Sequence, residues 1–426
     1  MSMRAVVLGF FCVASVAADG HDTGASSSDP SRAAFLCVSM LAAAPSHRCF
    51  ADDDNYFHVT LDPYASETGY YKFDECGDTP MPVLAMERGV TYTFRQTDAS
   101  NWYHPLGFAY YPDGAHKDVD ELEPGVSRGG SARADDLTRQ APMYYKNGAY
   151  VGGDYDNVAG AGGEDFGLDA YEPEFFFERA DWIDAGTYEV KLTLTDEAYD
   201  GDLFYFCHIH NWMSGRIKVW ADGAVVQAED SPELGYDYEV PSDYDASCGT
   251  YGVGDYTRDS GVCDGPFICT EGDETDAQQA FGECLYAMDC HMNYNMRTIL
   301  SDADPIVTFI HQMIPHHQNA VNMAKAMLAT DTLDADDEDD AGMIDMLWGI
   351  INVQNFQIHN MEAYLDGGGY DATAHCSGDS GAWYKKDAPH KDCAWVAKFL
   401  PTRCGVKGWD KSTACDSCAD TCAGSC

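Results

Sequence analysis

A cysteine, a histidine and a methionine follow one another at intervals of three residues in the segment Cys207-His208-Ile209-His210-Asn211-Trp212-Met213. A mononuclear electron-transfer copper takes two imidazoles and one thiolate in a trigonal set, with a long axial thioether. Cys207, His210 and Met213 supply three of these four donors, and His104 is the best candidate for the second imidazole. The alternative is a buried structural thiol beside surface histidines. The pattern favours a copper site at His104, Cys207, His210 and Met213.

A second group of soft donors lies in the C-terminal half of the chain. Phe309, Met313, His316, Ala320, Met323 and Met327 recur at steps of three and four, which predicts one stripe of a helix over about 303–329. We expect this stripe to be buried, and buried imidazoles cost free energy unless they are hydrogen-bonded or ligated. Thioethers and imidazoles favour copper(I) or silver, whereas an ordinary core stripe is the alternative. The predicted ligands are Met313, His316, His317, Met323, Met327 and, on the next helix, Met361.

The N-terminal half has the period-two alternation of half-buried β-strands. Val90, Tyr92 and Phe94 alternate with polar residues, and about eight such segments predict a two-sheet sandwich. The segment 112–171 interrupts the pattern and is expected to be a long acidic surface insertion. The predicted strands are 56–61, 81–86, 90–95, 104–110, 174–178, 188–194, 203–207 and 216–220.

The C-terminal half changes to a helical period. A second helix is expected at 341–365, after an acidic turn, and Pro315 is expected to disturb the first helix. We therefore predict a multidomain β + α protein. Its predicted parts are a signal peptide at 1–18, a β domain at 51–221, a Cys-containing connector at 222–283, a helical His/Met-rich domain at 284–366 and a Cys-rich tail at 367–426.

The charge balance excludes one class of partner. The 426 residues contain 25 Lys and Arg against 71 Asp and Glu, a net charge of −46. Such a surface repels nucleic acid and anionic lipid head groups. The hydrophobic content of 45% predicts folded domains rather than disorder.

The N-terminus and the cysteines predict export. Residues 1–18 have an early Arg, an apolar core and small residues near Ala17, as in a secretory signal. The apolar segment 33–45 is too short to span a bilayer, and no membrane span is expected. Fifteen of the 17 cysteines remain after Cys12 and Cys207 are set aside, which predicts disulfides and one thiol that is either free or bridged to another chain. A zinc site is the alternative for Cys415, Cys418, Cys422 and Cys426.

The segment around Cys207 resembles the ligand loop of cupredoxins, in particular the short Cys-x2-His-x2-Met loop of the amicyanin type. The resemblance covers about 51–221. It implies a Greek-key β-sandwich with a type 1 copper, His104, Cys207 and His210 as equatorial ligands, and Met213 as the axial ligand. A multicopper oxidase is excluded because the chain has one His-x-His pair, His208-Ile209-His210, where that class needs four.

The segment at about 286–366 is similar to the family known as domain of unknown function 305. The similarity includes the Met-Ile-Pro-His-His core at 313–317, Met323, and Gln354, Ile358 and Met361 on the second helix; Gln357 replaces the family's Glu. It implies a ferritin-like helical hairpin or bundle that binds copper or silver in exported proteins.

Together these patterns predict a secreted copper-binding protein that acts in copper sequestration, storage or redox-linked acquisition. An enzymatic role is not favoured, because no catalytic arrangement of residues is evident. The expected partners are copper or silver ions and a redox protein. One alternative is an electron-transfer cupredoxin or reductase subunit whose helical domain only docks a partner. A structural extracellular protein is the other.

Overall fold

The computed structural model describes most of the chain from residue 48 onward, and residues 47–426 form one compact unit. The predicted signal peptide and the apolar segment 33–45 lie outside the described residues. The described residues are 48–64, 66–117, 121–122, 141–153, 167–195, 201–226, 232–236, 238, 240–263, 266–300, 304–330, 332–374, 385–388, 390–391, 393–398, 400, 402–408, 411, 413–414, 418 and 422.

The N-terminal region of the described chain folds into two mixed β-sheets. One has the strand order β1-β4-β11-β10-β6, with β12 paired to β11, and the other has the order β3-β2-β5-β9-β7-β8. The strands are β1 (Arg48–Phe50), β2 (Tyr56–Asp62), β3 (Tyr70–Phe73), β4 (Val83–Glu87), β5 (Thr91–Gln96), β6 (Leu106–Ala109), β7 (Met143–Lys146), β8 (Ala149–Tyr150), β9 (Tyr188–Thr193), β10 (Leu203–Cys207), β11 (Gly215–Ala221) and β12 (Ala224–Val225).

Side chains of both sheets meet in one aromatic core. Strand β2 alternates buried and half-buried residues along its length, as the period-two pattern predicts. Phe94 of β5 in one sheet packs against Phe108 of β6 in the other, with ring centroids 4.7 Å apart. Burial of such rings removes a large apolar area from water and holds the two sheets together.

The C-terminal region is helical, and its helices begin at well-formed caps. Thr275 and Gln278 form a reciprocal capping box at the start of α4, and Asp304 caps α5 ahead of Pro305. Asp337 caps α6, which ends at Gly369 with a φ of 66°. The helices are α1 (Leu168–Tyr171), α2 (Arg179–Ala185), α3 (Asp243–Cys248), α4 (Asp276–Asn295), α5 (Pro305–Leu328), α6 (Glu338–Gly368) and α7 (Cys393–Ala397).

Two predictions for the β region were wrong. The strand expected at 174–178 is a 3₁₀ turn, Glu172–Phe175, followed by α2. Pro173 lies in the first turn of this 3₁₀ element, where its fixed φ suits a helical turn. Phe175 is completely buried, whereas Phe176 and Phe177 are exposed. The expected surface insertion contains β7, which pairs with β9 inside the second sheet.

Two predictions for the helical region were also wrong. Helix α5 continues through Pro315, which is buried. The stripe expected in the core lies on the outer side, because Phe309 is 59% and Met323 is 39% exposed. Apolar residues occur on more than one face of α5, so their spacing alone does not say which face is buried; that face carries Val307, Ile310 and Val321.

Disulfides link neighbouring segments, as predicted, and fit an oxidising compartment. Cys418 and Cys422 are half-cystines, which removes both from the zinc alternative. Among the described cysteines, Cys207 is free and buried, and Cys269 is free and exposed. No described helix is both long and apolar enough to cross a bilayer. The bonds are Cys49–Cys76, Cys248–Cys284, Cys263–Cys290, Cys393–Cys418 and Cys404–Cys422.

The helical region packs directly on the β region. The Lys325 ammonium of α5 is fully buried and donates to the carbonyl oxygens of Ser66 and Glu67, each at 2.7 Å, in the loop after β2. Arg179 of α2 pairs with Asp345 of α6 at 2.8 Å. These buried polar contacts fix α5 and α6 against the sheet edge at which the candidate ligands lie.

Candidate metal centre

Strand pairing brings His104 and Cys207 to the same edge of the first sheet. Cys207 is the last residue of β10 and pairs with Leu106, the first residue of the antiparallel strand β6. His104 lies two residues before β6. The loop 208–214 joins β10 to its other neighbour, β11, so that His210 and Met213 return to this edge.

The side chains of His104, Cys207 and His210 point their donor atoms at one another, and all three residues are completely buried. Cys207 Sγ lies 3.6 Å from His104 Nδ1 and 3.7 Å from His210 Nδ1. The two Nδ1 atoms are 3.2 Å apart. A point equidistant from the three atoms therefore lies about 2.0 Å from each, which is close to the length of a metal–nitrogen bond.

Asn352 of helix α6 determines which nitrogen of each imidazole carries the proton. His210 Nε2 lies 3.0 Å from the Asn352 carbonyl oxygen, which can only accept, so Nε2 must donate. The Asn352 amide nitrogen donates to the Trp102 carbonyl oxygen at 3.2 Å, which turns its Oδ1 toward His104 Nε2 at 3.1 Å. Both neutral imidazoles therefore carry the proton on Nε2.

The two Nδ1 atoms consequently face each other with lone pairs and no proton between them. Burial, followed by the neighbouring His210, keeps the pKa of His104 well below its usual value, and burial lowers the pKa of His210 to about 4. Proton binding is thus disfavoured at both rings. One thiol proton cannot satisfy both lone pairs, whereas a soft cation among the three atoms would satisfy all of them.

Burial of the Cys207 sulfur disfavours the free thiolate, and a bound cation would favour it. Burial raises the pKa of the thiol to about 12, although the backbone N–H groups of His210 and Ile209 counteract part of this effect. The His210 N–H donates to Sγ at 3.4 Å. Metal binding would displace the thiol proton, because the thiolate is the form that ligates.

A buried hydrogen-bond network holds the backbone at His104. The carbonyl oxygen of His104 accepts from Gln96 Nε2 at 2.7 Å and from the Tyr71 hydroxyl at 3.0 Å. Gln96 Nε2 also bonds to Asn101 Oδ1 at 3.0 Å, and Asn101 donates to the Val59 carbonyl oxygen at 2.7 Å. Such a network ties the ligand to the core of the second sheet.

Asp113 holds the loop that carries His210 and Met213. Its buried carboxylate accepts the backbone N–H groups of Trp212 and Met213, and Ser214 Oγ lies 3.2 Å from its Oδ1. Burial raises the pKa of Asp113. Trp212 has a φ of 65°, an uncommon conformation for a bulky residue that these bonds stabilise. Met213 is completely buried in the core cluster that contains Cys207.

His208 lies outside the donor set, as its alternation with Cys207 predicts. Its ring contacts Glu121, Asp169 and Glu172. Burial alone would lower the pKa of His208, but the bonds to Glu121 and Glu172 raise it to about 10. His208 is therefore an ion-pair residue between the strand end and the α1 region.

The predicted donors of the helical region are more dispersed. His316 and Met323 are exposed, whereas Met313, His317, Met327 and Met361 are half-buried. Because α5 is continuous and rises about 1.5 Å per residue, Met313 and Met327 are about 20 Å apart along its axis and cannot share one ion. Met327 packs with Leu347 and Ile351, whereas Met361 joins a different apolar cluster.

The soft donors on α5 lie in two local groups, one at His316 and His317 and one at Met323. The His316 and His317 ring centroids are 5.9 Å apart. The buried Nδ1 of His317 has no hydrogen-bond partner in the described structure. One turn further along, the Met323 sulfur lies 3.6 Å from Asn319 Nδ2. Among the described residues, none of the three α5 histidines, His311, His316 and His317, lies in a group of three His, Cys, Asp or Glu donors of the kind formed at Cys207.

Sequence reasoning missed two residues around the candidate ligands, Asn352 and Asp113. His359 of α6 also lies there. Asn211 N–H donates to His359 Nδ1 at 3.1 Å, and the His359 ring packs edge-on against His210 with centroids 6.0 Å apart. Asn352 carried a signal, because a buried Asn inside a helix is unfavourable unless its amide has specific partners. Its partners, however, are about 250 residues away in the chain.

Residues 266–365 match the model of a protein family described as "Domain of unknown function (DUF305)". This match covers α4, α5 and most of α6. No curated protein and no solved structure matches the chain. The family match supports the prediction for the C-terminal helices and includes Asn352, so a helix of the DUF305-matching segment contacts the ligands carried by the β region.

Proposed function

We propose that this chain is an exported copper protein with a type 1 copper centre in a cupredoxin-like Greek-key β-sandwich. The carrying observation is the convergence of Cys207 Sγ and the two unprotonated Nδ1 atoms of His104 and His210. Met213 would supply the axial thioether. Two imidazoles and a thiolate with a weak thioether are the donors of blue-copper sites, whereas structural zinc takes four strong ligands.

The centre would cycle copper between two oxidation states. The ligands lie on strand ends and on a loop held by Asp113, and a buried network fixes the backbone at His104. A ligand set that moves little favours electron transfer. The physiological role would be copper handling by sequestration, storage or redox-linked acquisition outside the cell, in keeping with the disulfides.

The test compares two single-cysteine variants of the full chain. Copper(II) added to the parent should produce an intense visible thiolate-to-copper absorption, and Cys207→Ser should abolish it. Cys269→Ser is the matched control, because it removes the other free thiol of the described chain, which is exposed and distant in sequence. An unchanged absorption in Cys207→Ser, or none in the parent, would refute the proposal.

A second copper(I) or silver site on α5, in a ferritin-like helical region, is part of the same proposal. Its support is the set Met313, His316 and His317 on one turn, with Met323 and Met327 further along. The exposure of His316 and Met323 would let ions enter and leave without unfolding, which suits storage or transfer.

The alternative function is that of an electron carrier or reductase subunit whose helical region docks a partner. It is favoured by a cleft of about 1100 Å³ beside the ligand loop, lined by His116, Trp212, Phe356 and His359 among others. Glu233, Glu362, Asp366 and Asp371 also line it, and none of its described lining residues is Lys or Arg. A basic redox partner would fit this charge.

Metal stoichiometry distinguishes the two functions. Storage predicts more than one copper(I) per chain, with the excess lost in a His316→Ala plus His317→Ala variant. The electron-carrier alternative predicts one copper in both proteins and a partner affinity that falls steeply with salt. Elemental analysis of the loaded, desalted proteins gives the count.

A further inference from the structure

We propose that α6 of the DUF305-matching segment is the outer coordination shell of the metal centre, and that Asn352 is the residue that positions its imidazole ligands. This inference rests on the proposed metal centre. It assigns to the matched segment a role different from ion storage, because the helix acts on ligands carried by another part of the fold.

One residue of α6 reaches both imidazoles. The Asn352 side-chain oxygen accepts from His104, and its main-chain oxygen accepts from His210. That carbonyl lies within α6 and has a second lone pair available to the helix. The two acceptors are held at a fixed spacing by one residue, so the rings are oriented relative to each other as well as individually.

The Asn352 amide is itself held in place. Its Nδ2 donates to the carbonyl oxygen of Trp102, two residues before the ligand His104. The side chain is 1% exposed, so water does not compete for these bonds. Asn352 therefore contacts the His104 segment twice, once at the Trp102 backbone and once at the His104 ring. An acceptor on Nε2–H keeps Nδ1 free for a metal and makes it more basic.

Helix α6 also closes the ligand edge from solvent. His104 and His210 are completely buried, and His359, about two turns from Asn352 on the same face of α6, packs on the His210 ring and binds the ligand loop at Asn211. Trp348, earlier on α6, packs against the β core. Contacts at Trp348, Asn352 and His359 thus hold α6 against the β region that carries the two imidazoles.

The same helix provides a matched control. Asn355 is also a buried asparagine, 2% exposed, and lies one turn from Asn352. Its Nδ2 donates to the Glu67 carbonyl oxygen at 2.9 Å rather than acting on an imidazole. Replacement of either residue by Leu removes one buried amide and keeps the branching and the number of side-chain heavy atoms, and only Asn352→Leu also removes a contact with an imidazole ligand.

The experiment measures the copper(I) affinity and the histidine tautomers of the full-length variants Asn352→Leu and Asn355→Leu. We expect Asn352→Leu to weaken copper(I) binding about 10- to 100-fold in competition with a chromophoric chelator, the usual effect of removing an outer-shell partner. Asn355→Leu should bind like the parent. Histidine ¹H–¹⁵N spectra of the metal-free proteins should show His104 as the Nε2–H tautomer in the parent and in Asn355→Leu, and as a mixture in Asn352→Leu.

The outcomes separate this inference from the proposed function. A parent without thiolate-to-copper absorption refutes the copper centre, while the tautomer spectra still test the positioning by Asn352. A parent with that absorption, together with equal affinities and tautomers in the two variants, refutes only the role of Asn352. If circular dichroism shows that Asn352→Leu does not fold, Asn352→Ala takes its place and must give the same contrast with Asn355→Ala.

Discussion

At the scale of residues, the candidate centre consists of one thiol and two imidazoles that burial keeps in their neutral forms. Cys207, His104 and His210 are buried without a charged partner in the donor triangle, and burial disfavours both the thiolate and the imidazolium. A cation would reverse this balance, because it attracts the thiolate and both lone pairs at once. This balance supports the proposed metal site.

The two free thiols of the described chain should differ in reactivity. Cys207 is fully buried and its thiol pKa is raised to about 12, whereas Cys269 is exposed. In the folded, metal-free protein we expect iodoacetamide to modify Cys269 and to leave Cys207 intact, since the thiolate is the nucleophile. Peptide mass spectrometry gives the extent at each site. Unfolding in denaturant should make both react, and rapid modification of Cys207 in the folded chain would contradict the buried site.

The ligand loop should depend on Asp113 even without metal. Asp113→Ala leaves the N–H groups of Trp212 and of the completely buried Met213 without their acceptor. We expect the free energy of unfolding of the metal-free protein to fall by about 1–3 kcal/mol, the cost of an unsatisfied buried donor. Urea unfolding measures it. Asp78→Ala is the control, because Asp78 forms an exposed ion pair with Lys72; an equal loss in both would show that Asp113 has no special role.

The grouping of His104, Cys207 and His210 was accessible from sequence because two of them lie in one loop and strand pairing brings the third to the same edge of the sheet. Their role as metal ligands, with Met213, stays a prediction. The spacing Cys-x2-His-x2-Met is local information. Asn352 could not be predicted, since its bonds to His104 and His210 depend on how α6 docks, which no local pattern encodes. Asp113 was missed for the same reason, because it contacts the loop about 100 residues later.

At the scale of elements, the period of a helix predicts its existence better than its orientation. The helices at α5 and α6 and most strands of the β region were predicted to within a few residues, because their apolar periods are strong. The face of α5 that is buried was not predicted correctly. Its inward side includes Lys325, Asn319 and Asn322, polar residues whose burial depends on partners in other elements.

The outer face of α5 should bind soft ions separately from the Cys207 site. We expect the parent to bind more silver per chain than a His316→Ala plus His317→Ala variant, with the visible absorption of the copper(II) form unchanged in both. The reason is that His316 is exposed and lies on an element that does not contribute a ligand to the β-region site. Equilibrium dialysis gives the count. His390→Ala, which removes an exposed histidine outside α5, is the control; equal silver in all three proteins would refute the α5 site.

At the scale of the whole molecule, buried polar contacts hold the β and helical regions together. Lys325 clamps the loop after β2, and Asn352 and Asn355 reach the β region from α6. Removal of either partner of such a contact leaves a buried polar group unsatisfied, so separation of the two regions is costly. This docking could not be predicted from the sequence. The periodicity of each region indicates its own secondary structure but not which other region packs against it.

Copper should therefore stabilise both regions together. A ligand that binds only the folded state adds about 2.7 kcal/mol at 100 times its dissociation constant. We expect near-ultraviolet dichroism of the aromatic β core and 222 nm dichroism of the helices to shift to higher temperature by the same amount on addition of copper. In Cys207→Ser the shift should be absent or much smaller. A shift confined to the aromatic probe would show that α6 does not take part in the centre.

The most direct measurement of the central claim is X-ray absorption at the copper edge of the loaded full chain. The account predicts two nitrogen neighbours and one short sulfur neighbour, from His104, His210 and Cys207, and loss of the short sulfur in Cys207→Ser but not in Cys269→Ser. A copper surrounded only by oxygen and nitrogen in the parent, or a spectrum that is the same in both variants, would contradict it.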